Sequence, residues 1–113
     1  TRGGLATVAH EIARGTGLTV RLSESQIPVN DSVQSVCELL GFDPLYLACE
    51  GRIAAVVSAE AAHAALAELQ AVAPQAALIG ELGVAPAQVF LDTAFGGQRA
   101  LDELDDDPLP RIC

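Results

Sequence analysis

The chain alternates apolar stripes with breaks carrying glycine or proline, and the spacing within each stripe predicts its element. Leu5, Val8, Ala9 and Ile12 recur at helical spacing, which predicts an amphipathic helix from residue 3 to about 14, stopped by Gly15 and Gly17. Thr19-Val20-Arg21-Leu22 alternates in character as a short strand does. Val33, Val36, Cys37 and Leu40 form the stripe of a second helix over 31–40, with Asn30 able to cap it and Gly41 to end it. After the Asp43-Pro44 turn, Leu45 to Cys49 reads as a strand. Glu50-Gly51 separates it from the apolar run Ile53 to Val57, so the pair predicts a hairpin turning at Gly51.

Ser58 can cap a third helix running to about Gln70, with Ala62, Ala65, Leu66 and Leu69 facing inward. Ala77 to Val84 and Val89 to Thr93 are the last two strand candidates, read as a second hairpin, and Phe95-Gly96-Gly97 starts the exit toward the C-terminal segment. The order helix, strand, helix, hairpin, helix, hairpin is not that of a doubly wound parallel sheet. It predicts an α+β layered domain, a mixed and largely antiparallel sheet packed by helices. The domain is expected to span residues 1–104, with 105–113 a flexible acidic tail carrying Pro108 and Pro110.

At 113 residues and 50% hydrophobic content the chain can bury one real core and is not of disordered composition. No run approaches the ~20 apolar residues a membrane span needs. The first residue, Thr1, falls in mid-motif with no signal-like stretch, so a fragment of a longer, cytoplasmic protein is expected. Net charge is −9, from 15 acidic and 6 basic residues, which argues against nucleic-acid and anionic-membrane binding. Asp102, Glu103, Asp105, Asp106 and Asp107 crowd the end of the chain, either as a solvated segment or as a surface for a basic partner.

The usual catalytic patterns are missing: no nucleophile elbow, phosphate loop or dinucleotide glycine motif occurs. His10 and His63 have no cysteine or carboxylate at metal-ligand spacing and read as helix-surface residues, so no metal site is expected. The three cysteines form no disulfide framework; Cys37 and Cys49 read as small buried hydrophobes. Three features could carry chemistry. Thr1, Arg2, Gly3 and Gly4 open the first helix, where free N–H groups and the dipole favour an anion and Arg2 could grip phosphate. Glu50 is a carboxylate at a turn. Cys113 ends a proline-stiffened arm, and its own α-carboxylate would raise the thiol's pKa, so it would need a nearby base.

These features, in this order, resemble the HypE family of hydrogenase maturation proteins. The likeness runs through TRGGLA at the start, IPV near residue 28, ELLGFDPLYLACEGR in the middle, TAFGGQR at 93–99 and PRIC at the end. TRGG is shared with the wider superfamily of aminoimidazole ribonucleotide synthetase and selenophosphate synthetase; the middle motif and PRIC are more specific. The resemblance implies the C-terminal domain fold of that superfamily and a carbamoyl dehydratase. The partner carbamoyltransferase HypF loads a carbamoyl group on the terminal cysteine, ATP phosphorylates its oxygen, elimination leaves a thiocyanate, and cyanide passes to iron on HypC–HypD. Carried onto this chain, Cys113 is the acceptor thiol, Arg111 and Ile112 position the tail, and Thr1, Arg2, Gly3 and Gly4 face the ATP phosphates. Glu50 is the candidate base or orienting group. Cys49 stands where the family is expected to have Asn.

The family's N-terminal domain, expected to supply most ATP and Mg2+ ligands and the homodimer interface, is not in this chain. The chain alone is therefore expected to carry the thiol without bound ligand, ATP hydrolysis or strong dimerisation. Two other readings stay open: a domain of another ATP-dependent synthetase or kinase of the superfamily, which has no use for the terminal cysteine, and a non-catalytic docking module.

Overall fold

A computed structural model describes residues 3–48 and 51–102. Three helices are found among them: α1 (Gly4–Thr16), α2 (Asp31–Leu40) and α3 (Ala62–Val72). Four strands form one sheet: β1 (Thr19–Ser23), β2 (Gly80–Leu82), β3 (Gln88–Asp92) and β4 (Gln98–Ala100). Their order in space is β2, β1, β3, β4; β1 runs antiparallel to β2 and parallel to β3, and β3 runs antiparallel to β4. The fold is thus α+β with a mixed sheet, as the element order predicts. No helix among the described residues is long and apolar enough to cross a membrane.

The parallel register sets Val20 beside Val89 and Leu22 beside Leu91, so four apolar side chains share one face. That face is buried and α1 belongs to the same core. The helix meets the core through its smallest residues: Gly4, Ala6, Ala9 and Ala13 are buried, while Leu5 and Ile12 pack at the margin. Methyl-sized side chains bring the helix axis close to the strands, which is why alanines and not the larger residues of the sequence-predicted stripe lie deepest. Gly15 does not stop α1; the helix runs through Thr16 and ends at Gly17, whose φ of 73° lets its N–H reach Ala13 O. Leu101, next after β4, is 2% exposed and closes the core. The opposite face, with Arg21 and Phe90 paired in register, is far more open.

Several expectations are corrected. Leu45 does not begin a strand: Pro44–Tyr46 is a 3-10 turn, because Asp43 Oδ1 accepts the Leu45 N–H at 3.0 Å and Pro44 fixes the first turn position. Among the described residues Ile53 to Val57 forms no strand and is paired with nothing from 45–48, so the expected hairpin at Gly51 is not found there; Ile53 is 85% exposed, and Cys49 and Glu50 lie outside the described residues. The last two strand candidates lie where β2 and β3 do but are not hairpin partners, since β1 sits between them. Phe95-Gly96-Gly97 does not lead out of the fold but turns the chain into β4.

In α2 only Cys37 of the expected stripe is buried; Val33, Val36 and Leu40 are exposed. Asn30 precedes α2 in extended conformation without a side-chain cap bond, whereas Gly41 ends it at φ 76°. Ser58 does cap the next segment, accepting the Ala61 N–H, yet α3 buries no residue and Leu69 is exposed.

Candidate functional site

The head of α1 is built from two buried glycines with positive φ, 81° at Gly3 and 63° at Gly4. Residues with a Cβ avoid that region, so the geometry itself selects glycine. A Cβ on Gly4 would also collide with the carbonyl oxygens of Leu45 and Leu47, so the glycine is what lets the helix head seat against the 44–46 turn. The first turn of α1 carries no side-chain cap and no acidic residue. Its leading N–H groups have no partner within the helix, and together with the dipole they make this end receptive to an anion.

Leu45 is buried beneath the turn and anchors it in the core. Tyr46 then points to the C-terminal end of the described chain, where its hydroxyl donates to Asp102 O at 2.6 Å. From the middle of α1, His10 Nε2 lies 2.7 Å from Leu101 O. A carbonyl oxygen only accepts, so Nε2 carries the proton of this bond. Arg99 of β4 donates to Asp43 Oδ2 at 3.1 Å, closing the group as an exposed ion pair. Burial, with the Asp43 and Asp102 carboxylates adding to it, pushes the Tyr46 hydroxyl above its ordinary 10.0, so it stays a donor at neutral pH.

The 44–46 turn therefore stands between the head of α1 and the point where the chain leaves the core toward its end. Of the sequence-predicted site residues, Gly3 and Gly4 are at this junction. Thr1, Arg2, Glu50, Arg111, Ile112 and Cys113 lie outside the described residues, as does Cys49. Leu47, which touches Gly4, precedes Glu50 by three positions in the sequence.

His10 and Tyr46 were not among the sequence-predicted site residues. His10 is half-buried and bonded, not the surface histidine expected. The Asp43-Pro44 pair was the available signal for Tyr46: Asx side chains that cap their own backbone before a proline mark a turn. Among the described residues no group of three or more His, Cys, Asp or Glu could hold a metal ion.

Residues 1–91 of this α+β domain match the family described as AIR synthase related protein, C-terminal domain. The chain belongs to that family. Among its relatives it is 48% identical over 117 residues to carbamoyl dehydratase HypE of Bradyrhizobium diazoefficiens, covering 100% of this chain and 34% of that protein. It is 45% identical over 118 residues to the hydrogenase expression/formation protein HupE of Azotobacter chroococcum mcd 1, with the same coverage.

Three solved structures agree. A crystal structure of hydrogenase maturation protein HypE matches with TM-score 0.93 and 43% identity, over 100% of this chain and 38% of that one. HypE in complex with ATP matches at 0.89 and 42%, over 96% and 35%. A HypE–HypF complex matches at 0.87 and 36%, over 92% and 34%. The chain thus spans about a third of the length of the curated relatives it matches.

Proposed function

We propose that this chain is the C-terminal domain of an ATP-dependent carbamoyl dehydratase that makes the cyanide ligand for nickel–iron hydrogenase in the cytoplasm. The observation that carries the reading is the junction at the 44–46 turn: the carbonyls of Leu45 and Leu47 close on Gly4 at the anion-receptive head of α1, and the Tyr46 hydroxyl of the same turn reaches Asp102 O near the chain's end. Near-half identity to carbamoyl dehydratases across the whole chain supports it.

The chemistry follows from what an amide must lose to become a nitrile. A carbamoyl group on the Cys113 sulfur holds a C=O and an NH2. Its oxygen attacks the γ-phosphorus of ATP as one N–H proton is lost, giving an O-phosphorylated imidate and ADP. A second proton then leaves nitrogen while the C–O bond breaks, phosphate departs with that electron pair, and the sulfur is left bearing C≡N. Phosphorylation turns a poor leaving group into a good one, and a base must take the protons. We assign the base or orienting role to Glu50, and phosphate contacts to Thr1, Arg2, Gly3 and Gly4. Arg111 and Ile112 guide the terminal thiol.

A carbamoyltransferase of the HypF kind loads the thiol, a reading supported by a relative crystallised with HypF. The HypC–HypD pair receives the cyanide. ATP binding is supported by a relative's structure with that nucleotide. We place the magnesium ligands, most of the ATP contacts and the dimer interface outside this chain, which spans about a third of its relatives' length.

Replacing Cys113 by Ser in the full-length polypeptide tests the reading in cells. The expected result is complete loss of nickel–iron hydrogenase maturation with the protein still folded. Retained maturation would favour a docking module instead.

A further inference from the structure

We propose that His10 and Tyr46 are positioning residues that fix where the arm carrying Cys113 leaves the domain, an inference that rests on the function proposed above. The last two described residues are held by their backbone. Leu101 donates its N–H to Val89 O at 3.0 Å and accepts from His10 Nε2 at 2.7 Å; Asp102 accepts from the Tyr46 hydroxyl at 2.6 Å. His10 is 91 positions from Leu101 in sequence, and Tyr46 is 56 from Asp102, so neither bond is a local turn. Strand pairing alone holds the arm's root weakly, for β4 is three residues long and exposed throughout. Burial of the Leu101 side chain secures one point of it, and the side chains reaching from α1 and from the 44–46 turn fix the backbone carbonyls at and just after that point.

Placement matters because of reach. Residues 103–113 could span at most about 40 Å when fully extended, and the domain itself measures 40 × 35 × 34 Å. Within that bound the covalent chain leaves many positions open to the terminal thiol, and the place of Asp102 selects among them. The clamp sets that point beside the head of α1, since Tyr46 belongs to the turn whose neighbouring carbonyls pack on Gly4. Both contacts go to carbonyl oxygens, so they hold the backbone whatever side chain follows.

The test uses the full-length polypeptide in single turnover. Carbamoyl loading of Cys113 by the carbamoyltransferase needs the thiol to reach another protein; ATP-dependent conversion to thiocyanate needs it to reach its own active site. Each bond removed costs a factor of about two to ten. In the double variant His10→Leu with Tyr46→Phe, conversion should slow at least about fourfold, with loading within twofold of wild type and the KM for ATP unchanged. His10→Gln, which keeps an N–H donor, should restore most of the rate lost by His10→Leu. Should the double variant not fold, Tyr46→Phe alone keeps the ring and should slow conversion about twofold to threefold.

Conversion at the wild-type rate in the variants, with only a lower melting temperature, would overturn the proposal. So would a parallel fall in loading and conversion. An unmutated protein that takes up no carbamoyl group would overturn the parent reading, and it is told apart because the defect appears without any substitution.

Discussion

Alanine has opposite fates in two regions of this molecule. In α1, Ala6, Ala9 and Ala13 are between 0% and 2% exposed, and they belong to the core that also holds Leu91 of the central strand β3. In the stretch 51–79, which contains the alanine-rich α3, no residue is buried, and Val72 is 84% exposed. The difference lies in spacing and partner. The α1 alanines recur on one face over a sheet surface of Val20, Leu22, Val89 and Leu91, where a methyl group is the right size for close approach. The α3 alanines surround the helix, leaving no face with enough side chain to fill a core. Apolar composition does not amount to burial.

Substitutions in the buried region should cost far more than those in the exposed one. Leu91→Ala should cost the most, about 2–5 kcal/mol, because it opens a cavity in the best-packed strand; urea unfolding of the chain measures it. Gly4→Ala should cost about 3 kcal/mol, since it adds a strained positive φ to a collision with two carbonyls. Thermal unfolding at the wild-type level in that variant would mean that the seat of α1 on the 44–46 turn is loose in solution.

A matched pair sharpens the contrast. Ala9→Leu should destabilise by about 1–3 kcal/mol through overpacking, whereas Ala64→Leu, on exposed α3, should stay within about 0.5 kcal/mol. Equal costs for the two would show that α3 is packed after all.

A modest effect is expected at Tyr46. Its hydroxyl titrates above the ordinary 10.0 in the folded chain, so the stability it contributes is fully present below pH 10 and is lost as pH rises through the folded value. Tyr46→Phe should cost about 1 kcal/mol at neutral pH and should lose less further stability than wild type above pH 10. The pH dependence of the urea midpoint measures both.

The readable parts of the fold were those governed by neighbours in sequence. Gly17 and Gly41 end helices in the left-handed conformation, and the stripes of α1 and α2 locate those helices within a residue or two. The failures came where a distant or side-chain contact decides. A single Asp43 to Leu45 bond converts a strand-like run into a turn, and nothing in local hydrophobicity reports it. The position of β1 between β2 and β3 is a non-local pairing that hairpin logic cannot supply. Short, exposed β4 has no apolar alternation to detect.

Of the candidate site, the glycines at the head of α1 were legible from helix physics. The contacts of His10 and Tyr46 were not, because each ends on a backbone carbonyl far away in sequence.

The central claim, that Cys113 is the acceptor from which a thiocyanate is made, is tested most directly by intact-protein mass spectrometry. The full-length polypeptide and its Cys113→Ala variant would be incubated with the carbamoyltransferase, carbamoyl phosphate and ATP. The expected result is a carbamoyl adduct that converts to thiocyanate in the first and neither species in the second. An adduct that persists without Cys113, or none on the unmutated protein, would contradict it.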